Sequence, residues 1–372
     1  MQGTLISLLA ILALVACAVI FMRSKLKNIA DKKNLKNDIN REVTKMTKGA
    51  PREAIMVGVY KQGTCYFKSE GHFSEDLFQL PDHNSVFQIG SLSKLITVNV
   101  LHSLIEEGLV SMDSTLGELL GDKYEIADTA QKVTLRQLVT HTSGFPRIPQ
   151  AFFNKTVEHF GKDSVMVNPY SVLNFDDVIS YLETCEGQKE SGNFEYSNFG
   201  SGLLGHVLEV VSGKDLNDLA YERIFNPLGM TMTSTTLNAE MKESVVQGYT
   251  RDGGTAEHWK FGALAGAGGF YSTAADMLSF LKTYLDTSSN PQVPLNAEGG
   301  WMSAGKLEKL YGNNSMVWHN GQVGGYSSYA AIDPESDAIV VILSAKATDL
   351  TMPGIMLSRL ARSQSWAASA NH

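Results

Sequence analysis

Strand-like segments near both ends of the chain, with helical patterns between them, limit the folds that this sequence can adopt. Residues 54–71, "AIMVGVYKQGTCYFKSEG", predict a hairpin with a Gln-Gly turn, and residues 324–345, "GGYSSYAAIDPESDAIVVILSA", predict two further strands. A helical segment follows from about Met352 to Arg362. The intervening segments "TLRQLVTH" and "STAADMLSFLKTYL" have the spacing of capped helices, and "DLNDLAYERIF", between Gly213 and Pro227, is also predicted to be helical. We therefore expect an α/β (α+β) fold, in which both ends pair in one antiparallel sheet flanked by helices and the centre forms a helical lobe.

The N-terminal segment predicts a membrane anchor. Residues 5–22, "LISLLAILALVACAVIFM", carry no charge, and at about 1.5 Å per residue they are long enough to cross most of a bilayer. We interpret residues 1–24 as a transmembrane anchor or uncleaved signal, 25–50 as a charged juxtamembrane linker, and 51–372 as the folded domain. "LVAC", ending at Cys17, also resembles a lipoprotein cleavage site, and this alternative stays open.

Composition excludes several classes of function. The formal net charge of -8 argues against a nucleic-acid-binding surface, which needs clustered positive charge. The three cysteines cannot form a disulfide framework. The histidines lack the H-E-x-x-H spacing of zinc hydrolases, so we predict neither a metal nor another cofactor.

The stretch "FQIGSLSKLITVNVLHSLIEEGLV", residues 87–110, places Ser91 and Lys94 at the start of a helical apolar pattern. A helix start offers free N–H groups to a developing negative charge, and a lysine three residues later lies one turn along the same face. The amine could take the serine proton if burial lowered its pKa. Taken alone, the same spacing also fits a capping serine and a solvated lysine.

Two further motifs strengthen the catalytic interpretation. "FEYSNFG" contains Tyr196 and Asn198 just before another apolar helix, and "VWHNGQV" contains His319, Asn320 and Gly321 before the last strands. Each alone fits a structural role, as a rim tyrosine, a helix cap or a loop histidine. The order S-x-x-K, Y-x-N, H-x-G is much harder to obtain by accident.

With these motifs the chain resembles the serine β-lactamase and penicillin-binding-protein superfamily, in particular its branch of class C β-lactamases, D-alanyl-D-alanine carboxypeptidases and related esterases. The resemblance covers residues 52–362 and includes "LVTHTSGFP" at 138–146, "NPLGM" at 226–230 and "GAGGFYSTAADM" at 266–277. It implies a β-lactamase/transpeptidase-like fold. It also implies that Ser91 is the acylated nucleophile, Lys94 its proton partner and Tyr196 a second acid/base.

The resemblance also implies a set of substrate-binding groups. Asn198 would contact the substrate amide, and the backbone N–H groups of Ser91 and Gln322 would form an oxyanion hole. His319, Asn320 and Gly321 would bind substrate where class C β-lactamases have K-T-G.

Replacing lysine by His319 removes a fixed positive charge, which favours a peptidase or an esterase over a dedicated β-lactamase. Residues 147–193 are expected to form a wall or lid over the site, or alternatively a plain surface of the helical lobe. His141, in "THTSG", is predicted to be structural.

We therefore predict a membrane-anchored, single-pass serine hydrolase that acts through a Ser91 acyl-enzyme on an amide or ester. The substrate would be a small molecule or peptide, such as a peptidoglycan stem peptide or a β-lactam. The resemblance favours an extracytoplasmic (periplasmic) domain, whereas the lysines that follow residue 22 favour a cytoplasmic one. The alternatives are a binding or sensor module that holds such a ligand without turnover, and a structural role at the membrane.

Overall fold

A computed structural model of the chain describes residues 34–48, 53–161, 168–286, 288, 292–303 and 316–366. The predicted anchor at 5–22 and the predicted domain boundaries at residues 24 and 50 lie outside these ranges. Within them, no helix has both the length and the apolar character that a membrane crossing requires.

The strands form one main sheet and two short ladders in the described part of the chain. In chain order the strands are β1 (Ile55–Lys61), β2 (Thr64–Glu70), β3 (Phe87–Gln88), β4 (Gly248–Tyr249), β5 (Thr255–Ala256), β6 (Tyr271–Ser272), β7 (Met302–Ser303), β8 (Val317–Val323), β9 (Tyr326–Asp333) and β10 (Ala338–Ser344). The main sheet has the order β2-β1-β10-β9-β8-β7, and each neighbouring pair is antiparallel. The short ladders pair β3 with β6 and β4 with β5.

Helices cover both faces of the main sheet. In chain order they are α1 (Leu35–Met46), α2 (Ser93–Glu106), α3 (Leu116–Leu120), α4 (Asp128–Gln131), α5 (Leu135–Val139), α6 (Gln150–Phe160), α7 (Phe175–Thr184), α8 (Asn198–Ser212), α9 (Leu216–Ala220), α10 (Asn226–Leu228), α11 (Ala239–Ser244), α12 (Ala265–Gly268), α13 (Ala274–Lys282) and α14 (Thr351–Ser363). Short 3₁₀ turns lie at Gly90–Leu92, Gly262–Leu264, Ala297–Gly299 and Pro334–Ser336, and a π-helical turn at Tyr221–Phe225 joins α9 to α10.

The predicted pairing of the two ends of the domain is confirmed. Ile55 of β1 lies opposite Ser344 of β10, which places the first strand of the sheet beside the last. The predicted hairpin joins β1 to β2 through Gln62 and Gly63, whose φ angles of 49° and 81° suit a tight two-residue turn. The mixed α/β fold with an antiparallel sheet follows from these pairings.

The predicted helix caps are also present. Thr134 and Gln137 form a capping box at the start of α5, with the Thr134 hydroxyl accepting from the Gln137 N–H at 3.2 Å. The Thr273 hydroxyl likewise accepts from the Asp276 N–H at the start of α13. These local bonds explain why the two helices begin where they do.

The two faces of the main sheet pack against different helices because side chains alternate along each strand. On β10, Ile339 and Val341 belong to the core shared with α2, α8 and α13, and we call this side the lobe face. Val340 and Ile342 belong to the core shared with α1 and α14, and we call this side the terminal face.

Helix α1 lies within the range that the sequence predicts to be a charged linker. Leu35, Ile39 and Val43 recur every four residues and are fully buried against the terminal face. Burying each of these side chains stabilises the fold by roughly 1.5–3 kcal/mol relative to exposing it. The helix is therefore built into the folded domain.

Candidate active site

Ser91 lies in the 3₁₀ turn Gly90–Leu92, which leads directly into α2. The sequence predicts Ser91 at the start of an α-helix, but the α-helical bonds begin at Ser93, so Ser91 lies in the tighter turn before it. Gly90 has a φ of +50°, and a Cβ there would lie 3.0 Å from the Gln322 amide nitrogen. This turn therefore requires glycine for both backbone conformation and close packing.

Lys94 lies in the first turn of α2 and is only 3% exposed. Its ammonium nitrogen donates to Ser91 Oγ at 3.1 Å, to Asn198 Oδ1 at 3.0 Å and to the Ala267 carbonyl at 2.6 Å. Burial lowers the pKa of Lys94, while the nearby Tyr196 opposes the shift. A lowered pKa increases the fraction of neutral amine that can accept a proton from Ser91.

Tyr196 approaches Ser91 from the helical lobe, and its hydroxyl donates to Ser91 Oγ at 3.0 Å. The next residue, Ser197, caps α8, because its Oγ accepts from the Gly200 N–H at 2.8 Å. Asn198 is then the first helical residue rather than the cap. The Y-x-N motif thus places its tyrosine and its asparagine on either side of a helix cap.

Asn198 is 8% exposed and links two other side chains of the site. Its Oδ1 accepts from Lys94, and its Nδ2 donates to the Tyr170 hydroxyl at 2.8 Å. Burial raises the pKa of Tyr170 to about 12, so this phenol is neutral at physiological pH. Asn198 also lines the cavity beside Ser91, where the sequence predicts that it contacts substrate.

His141 packs behind Tyr196, with the two ring centroids 4.4 Å apart. Its Nδ1 accepts from the Ser197 N–H at 3.2 Å. Burial lowers the pKa of His141 to about 3, which leaves the ring neutral and able to accept this bond. These contacts hold the backbone next to Tyr196 and agree with a structural role.

Strand β8 forms the opposite side of the site through close backbone packing. A Cβ on Gly321 would lie 2.7 Å from the Ser91 amide nitrogen and 2.5 Å from the Ile89 carbonyl oxygen, so only glycine fits. The Ser328 hydroxyl on β9 donates to the same Ile89 carbonyl at 2.7 Å. Ser91 and Gln322, which the sequence predicts to form an oxyanion hole, both line the cavity from these facing backbone segments.

His319 differs from its predicted role. The sequence predicts a substrate-binding residue, but the side chain is 1% exposed and is not among the described residues that line the cavity. Its Nδ1 lies 2.6 Å from the Asn320 carbonyl, and burial lowers its pKa to about 3. His319 is therefore neutral and lies beneath the site, because β8 turns this side chain into the lobe face.

Asn320, the second residue of the predicted substrate-binding motif, lines the cavity. Its Nδ2 donates to the Thr351 hydroxyl at 2.8 Å, which ties β8 to the first residue of α14. This bond orients the amide at the edge of the cavity, where its remaining polar capacity can face a ligand.

The cavity beside Ser91 has a volume of about 300 Å³. It is lined by Ser91, Arg147, Tyr170, Tyr196, Asn198, Trp259, Phe261, Ala267, Gly268, Met302, Asn320, Gly321, Gln322, Val323, Thr348, Asp349 and Leu350. Arg147 and Tyr170 belong to the range 147–193, so part of that segment forms a wall of the site. No local pattern distinguishes these two residues in the sequence.

The fold and these contacts define the class of the protein. One serine hydroxyl is contacted by a buried amine and by a phenol, and Ser91 and Gln322 line the same cavity from facing backbone segments. Such a site can activate a hydroxyl for attack on a carbonyl and stabilise the resulting oxyanion. This is the arrangement of a serine hydrolase.

Comparison with known proteins places the chain within a family. The family model described as Beta-lactamase matches residues 39–358. Penicillin-binding protein 4 of Amycolatopsis lactamdurans is 25% identical over 70% of this chain and 72% of its own. The D-alanyl-D-alanine-carboxypeptidase/endopeptidase AmpH of Escherichia coli K12 is 26% identical over 74% of this chain and 75% of its own.

A solved structure supports the same fold. The D-alanine carboxypeptidase AmpC of Burkholderia cenocepacia is similar with a TM-score of 0.70, at 21% identity over 88% of this chain and 98% of its own. The protein belongs to the β-lactamase family and is a serine hydrolase of the type that includes β-lactamases and D,D-carboxypeptidases.

Proposed function

We propose that the protein hydrolyses an amide or ester through an acyl-enzyme at Ser91, in the manner of a D-alanyl-D-alanine carboxypeptidase or a related esterase. The observation that carries the proposal is the pair of bonds at Ser91 Oγ, one from Lys94 at 3.1 Å and one from Tyr196 at 3.0 Å. A nucleophile with two proton-exchanging neighbours can be activated before attack and can also pass its proton on.

In the acylation step, Ser91 Oγ attacks the substrate carbonyl as its proton passes to the neutral amine of Lys94. Burial lowers the pKa of Lys94 and so favours the neutral amine before attack. The Asn198 and Ala267 oxygens then stabilise the ammonium that forms. The Tyr196 phenol is placed to give its proton to the leaving nitrogen or oxygen and to regain one from the Lys94 ammonium. Attack of water on the acyl group then releases it and returns a proton to Ser91 Oγ.

The backbone amides of Ser91 and Gln322 supply the oxyanion hole in this proposal. Each preorganised donor contributes roughly 3 kcal/mol to stabilising the tetrahedral intermediate. The packing of Gly321 against Ser91 supports this role, because it holds the two backbone segments together without an intervening side chain.

The proposed substrates are small molecules or peptides, with peptidoglycan stem peptides and β-lactams as the first compounds to test. Relatives named as a penicillin-binding protein and as a D-alanyl-D-alanine-carboxypeptidase/endopeptidase support this choice. The burial of His319 favours a peptidase or esterase, because the position that K-T-G enzymes fill with a lysine carries a neutral group here.

We further propose that residues 5–22 anchor the protein in a membrane and that the catalytic domain is extracytoplasmic. The uncharged apolar run supports the anchor. The similarity to relatives named as a penicillin-binding protein and as a D-alanyl-D-alanine-carboxypeptidase/endopeptidase supports the location. Protease digestion of oriented membrane vesicles tests the side, since only an exposed domain is cut.

The test of the activity compares the full chain with Ser91→Ala on p-nitrophenyl acetate, a chromogenic cephalosporin, a fluorescent penicillin and a D-alanyl-D-alanine peptide. We expect turnover of at least one substrate, reduced at least about 10³-fold in the variant. Ser103→Ala is the matched control, because Ser103 lies on the same helix and, among the described residues, its hydroxyl bonds only to the Val100 carbonyl. Turnover that survives Ser91→Ala would refute the proposal.

Persistent Ser91-dependent labelling by penicillin without any turnover would instead identify a ligand-binding or sensor module. The ester and the peptide are included in the test for this reason, since slow release of a β-lactam acyl group does not exclude peptidase or esterase activity.

A further inference from the structure

The cavity beside Ser91 has an uneven distribution of charge. Among the described residues that line it, the charged side chains are Arg147 and Asp349. Arg147 lies before α6 with its guanidinium over the Tyr196 ring of the helical lobe, whereas Asp349 lies just before α14, whose first residue bonds to Asn320 of β8. The cavity therefore presents a cation on one wall and a carboxylate on another.

Neither Lys94 nor His319, the other basic side chains considered near Ser91, offers a positive charge to a substrate anion. Lys94 is 3% exposed, and its ammonium group already donates to three acceptors within the protein. His319 is neutral and is buried beneath β8. A negatively charged substrate group must therefore find its partner elsewhere in the cavity.

Arg147 is positioned to be that partner. Its guanidinium carbon lies over the Tyr196 ring, 5.2 Å from the ring centroid, and its side chain is solvent-exposed. Its carbonyl accepts from the Asn198 and Phe199 N–H groups, both at 3.1 Å, so its backbone is fixed to the start of α8. In the part of the chain that the structure describes, no carboxylate pairs with this guanidinium.

Asp349 restricts where an anionic group can lie. Its Oδ1 accepts from the Thr351 N–H at 2.8 Å, and the bonds to Thr351 hold the pKa of Asp349 below its usual range. The carboxylate is therefore ionised at neutral pH and repels a second anion from its side of the cavity. The two walls thus favour an orientation in which a substrate anion lies toward Arg147.

We propose that Arg147 is the anion-recognition residue of this site, and that its substrates carry a carboxylate that pairs with the Arg147 guanidinium. The inference rests on the hydrolase activity proposed above and names the charge class of its substrate. A planar guanidinium suits a carboxylate, because it offers paired N–H donors in a matching geometry. Arg147 also provides a fixed positive charge, which His319 does not provide at the position where K-T-G enzymes have a lysine.

The experiment uses two pairs of esters, each matching an anion with a neutral compound of similar shape. p-Nitrophenyl hemisuccinate and p-nitrophenyl 4-methylpentanoate differ in charge on the acyl side, whereas 4-acetoxybenzoate and its methyl ester differ on the leaving-group side. For each enzyme variant, the ratio of kcat/KM for the anionic ester to kcat/KM for the neutral ester is measured. A general change in activity cancels in this ratio.

We expect Arg147→Gln to lower the anionic-to-neutral ratio of at least one pair by about tenfold, as loss of a charge-assisted bond predicts. Arg147→Lys should retain part of the preference because it keeps the charge. Added salt should reduce the ratio in the unmodified protein and leave it nearly constant in Arg147→Gln. Arg251→Gln, at an exposed turn outside the cavity, is the matched control and should leave both ratios unchanged.

Ratios that change less than twofold for both pairs in Arg147→Gln would overturn the assignment of Arg147. That outcome differs from failure of the proposed hydrolase activity, which would appear as the absence of Ser91-dependent hydrolysis of all four esters.

Discussion

The two faces of the main sheet have similar apolar patterns but serve different purposes. On the terminal face, β1 and β10 pack against α1 and α14 through fully buried aliphatic side chains. On the lobe face, β8 packs so closely against the turn that carries Ser91 that a Cβ on Gly321 would lie 2.7 Å from the Ser91 amide nitrogen. The comparison shows that one face of a sheet can contribute mainly to stability while the other positions the site. This is possible because alternate residues of each strand point to opposite faces.

Substitutions on the lobe face should reduce catalytic activity more than substitutions on the terminal face. In Gly321→Ala the new Cβ would meet Ser91 N at 2.7 Å and Ile89 O at 2.5 Å, which forces β8, with its Gln322 amide, away from the turn that carries Ser91. We expect kcat/KM to fall by about 10²–10³-fold, the loss typical of one missing donor. Steady-state kinetics on the best ester measure this loss.

Gly254→Ala provides the control, since a Cβ there meets only the flexible Thr250 side chain at 3.2 Å. Normal kinetics in Gly321→Ala would show that β8 does not position the reacting groups.

Substitutions on the terminal face should instead lower the free energy of unfolding. Ile39→Ala removes a fully buried side chain of α1, and we expect a loss of about 2–3 kcal/mol in the free energy of unfolding. Denaturant titration measures the loss, and kcat/KM per folded molecule should stay within about twofold because α1 is remote from Ser91.

Lys48→Ala, at an exposed position after the same helix, should change the free energy of unfolding by less than about 0.5 kcal/mol. If Ile39→Ala were equally mild, α1 would be a peripheral linker rather than part of the core.

Replacing His319, the buried histidine of β8, should have a smaller effect. It should change only how the free energy of unfolding depends on pH. The folded-state pKa of His319 is lowered to about 3, so between pH 3 and 6.5 the unfolded chain binds a proton that the folded chain excludes. The free energy of unfolding should therefore fall as the pH drops through this window. In His319→Gln we expect the slope to be shallower by about 1 kcal/mol per pH unit.

Parallel denaturant titrations at several pH values test this expectation. Identical slopes in the two proteins would show that His319 is protonated as readily in the fold as in the unfolded chain.

Local sequence patterns account for much of the fold and for the centre of the site. Turn residues such as Gly63 and caps such as Thr134 act within a few positions, so their effects can be predicted without tertiary structure. The S-x-x-K and Y-x-N motifs also predict residues that do meet, with Lys94 and Tyr196 both contacting Ser91. Their catalytic roles stay a prediction until they are tested.

Other parts of the site depend on packing between distant segments. The Ala267 carbonyl that binds Lys94 is a backbone group, and Tyr170 contacts Asn198 only after the lobe has folded. His319 carries a motif that suggests exposure to substrate, yet the direction of β8 buries it. Such contacts can be identified only from the tertiary structure, because the residues around a position in the sequence do not show which distant residues pack against it.

The charged composition of helix α1 explains why the sequence predicts a linker there rather than a helix of the folded domain. Its buried residues Leu35, Ile39 and Val43 recur with helical spacing, but lysines and acidic residues surround them and give the segment the character of a charged linker. Spacing was the more informative signal here, because a helix needs only one apolar face to join a core.

The pairing of β1 with β10 has a consequence for how the chain folds during synthesis. β1 emerges from the ribosome early, but its central partner is made only when residues 338–344 are complete. Until then one edge of β1 lacks its native partner, and such contacts between distant residues are slow to form. Completion of the sheet is therefore delayed until nearly the whole domain has been translated, which keeps the chain incompletely folded for most of its synthesis.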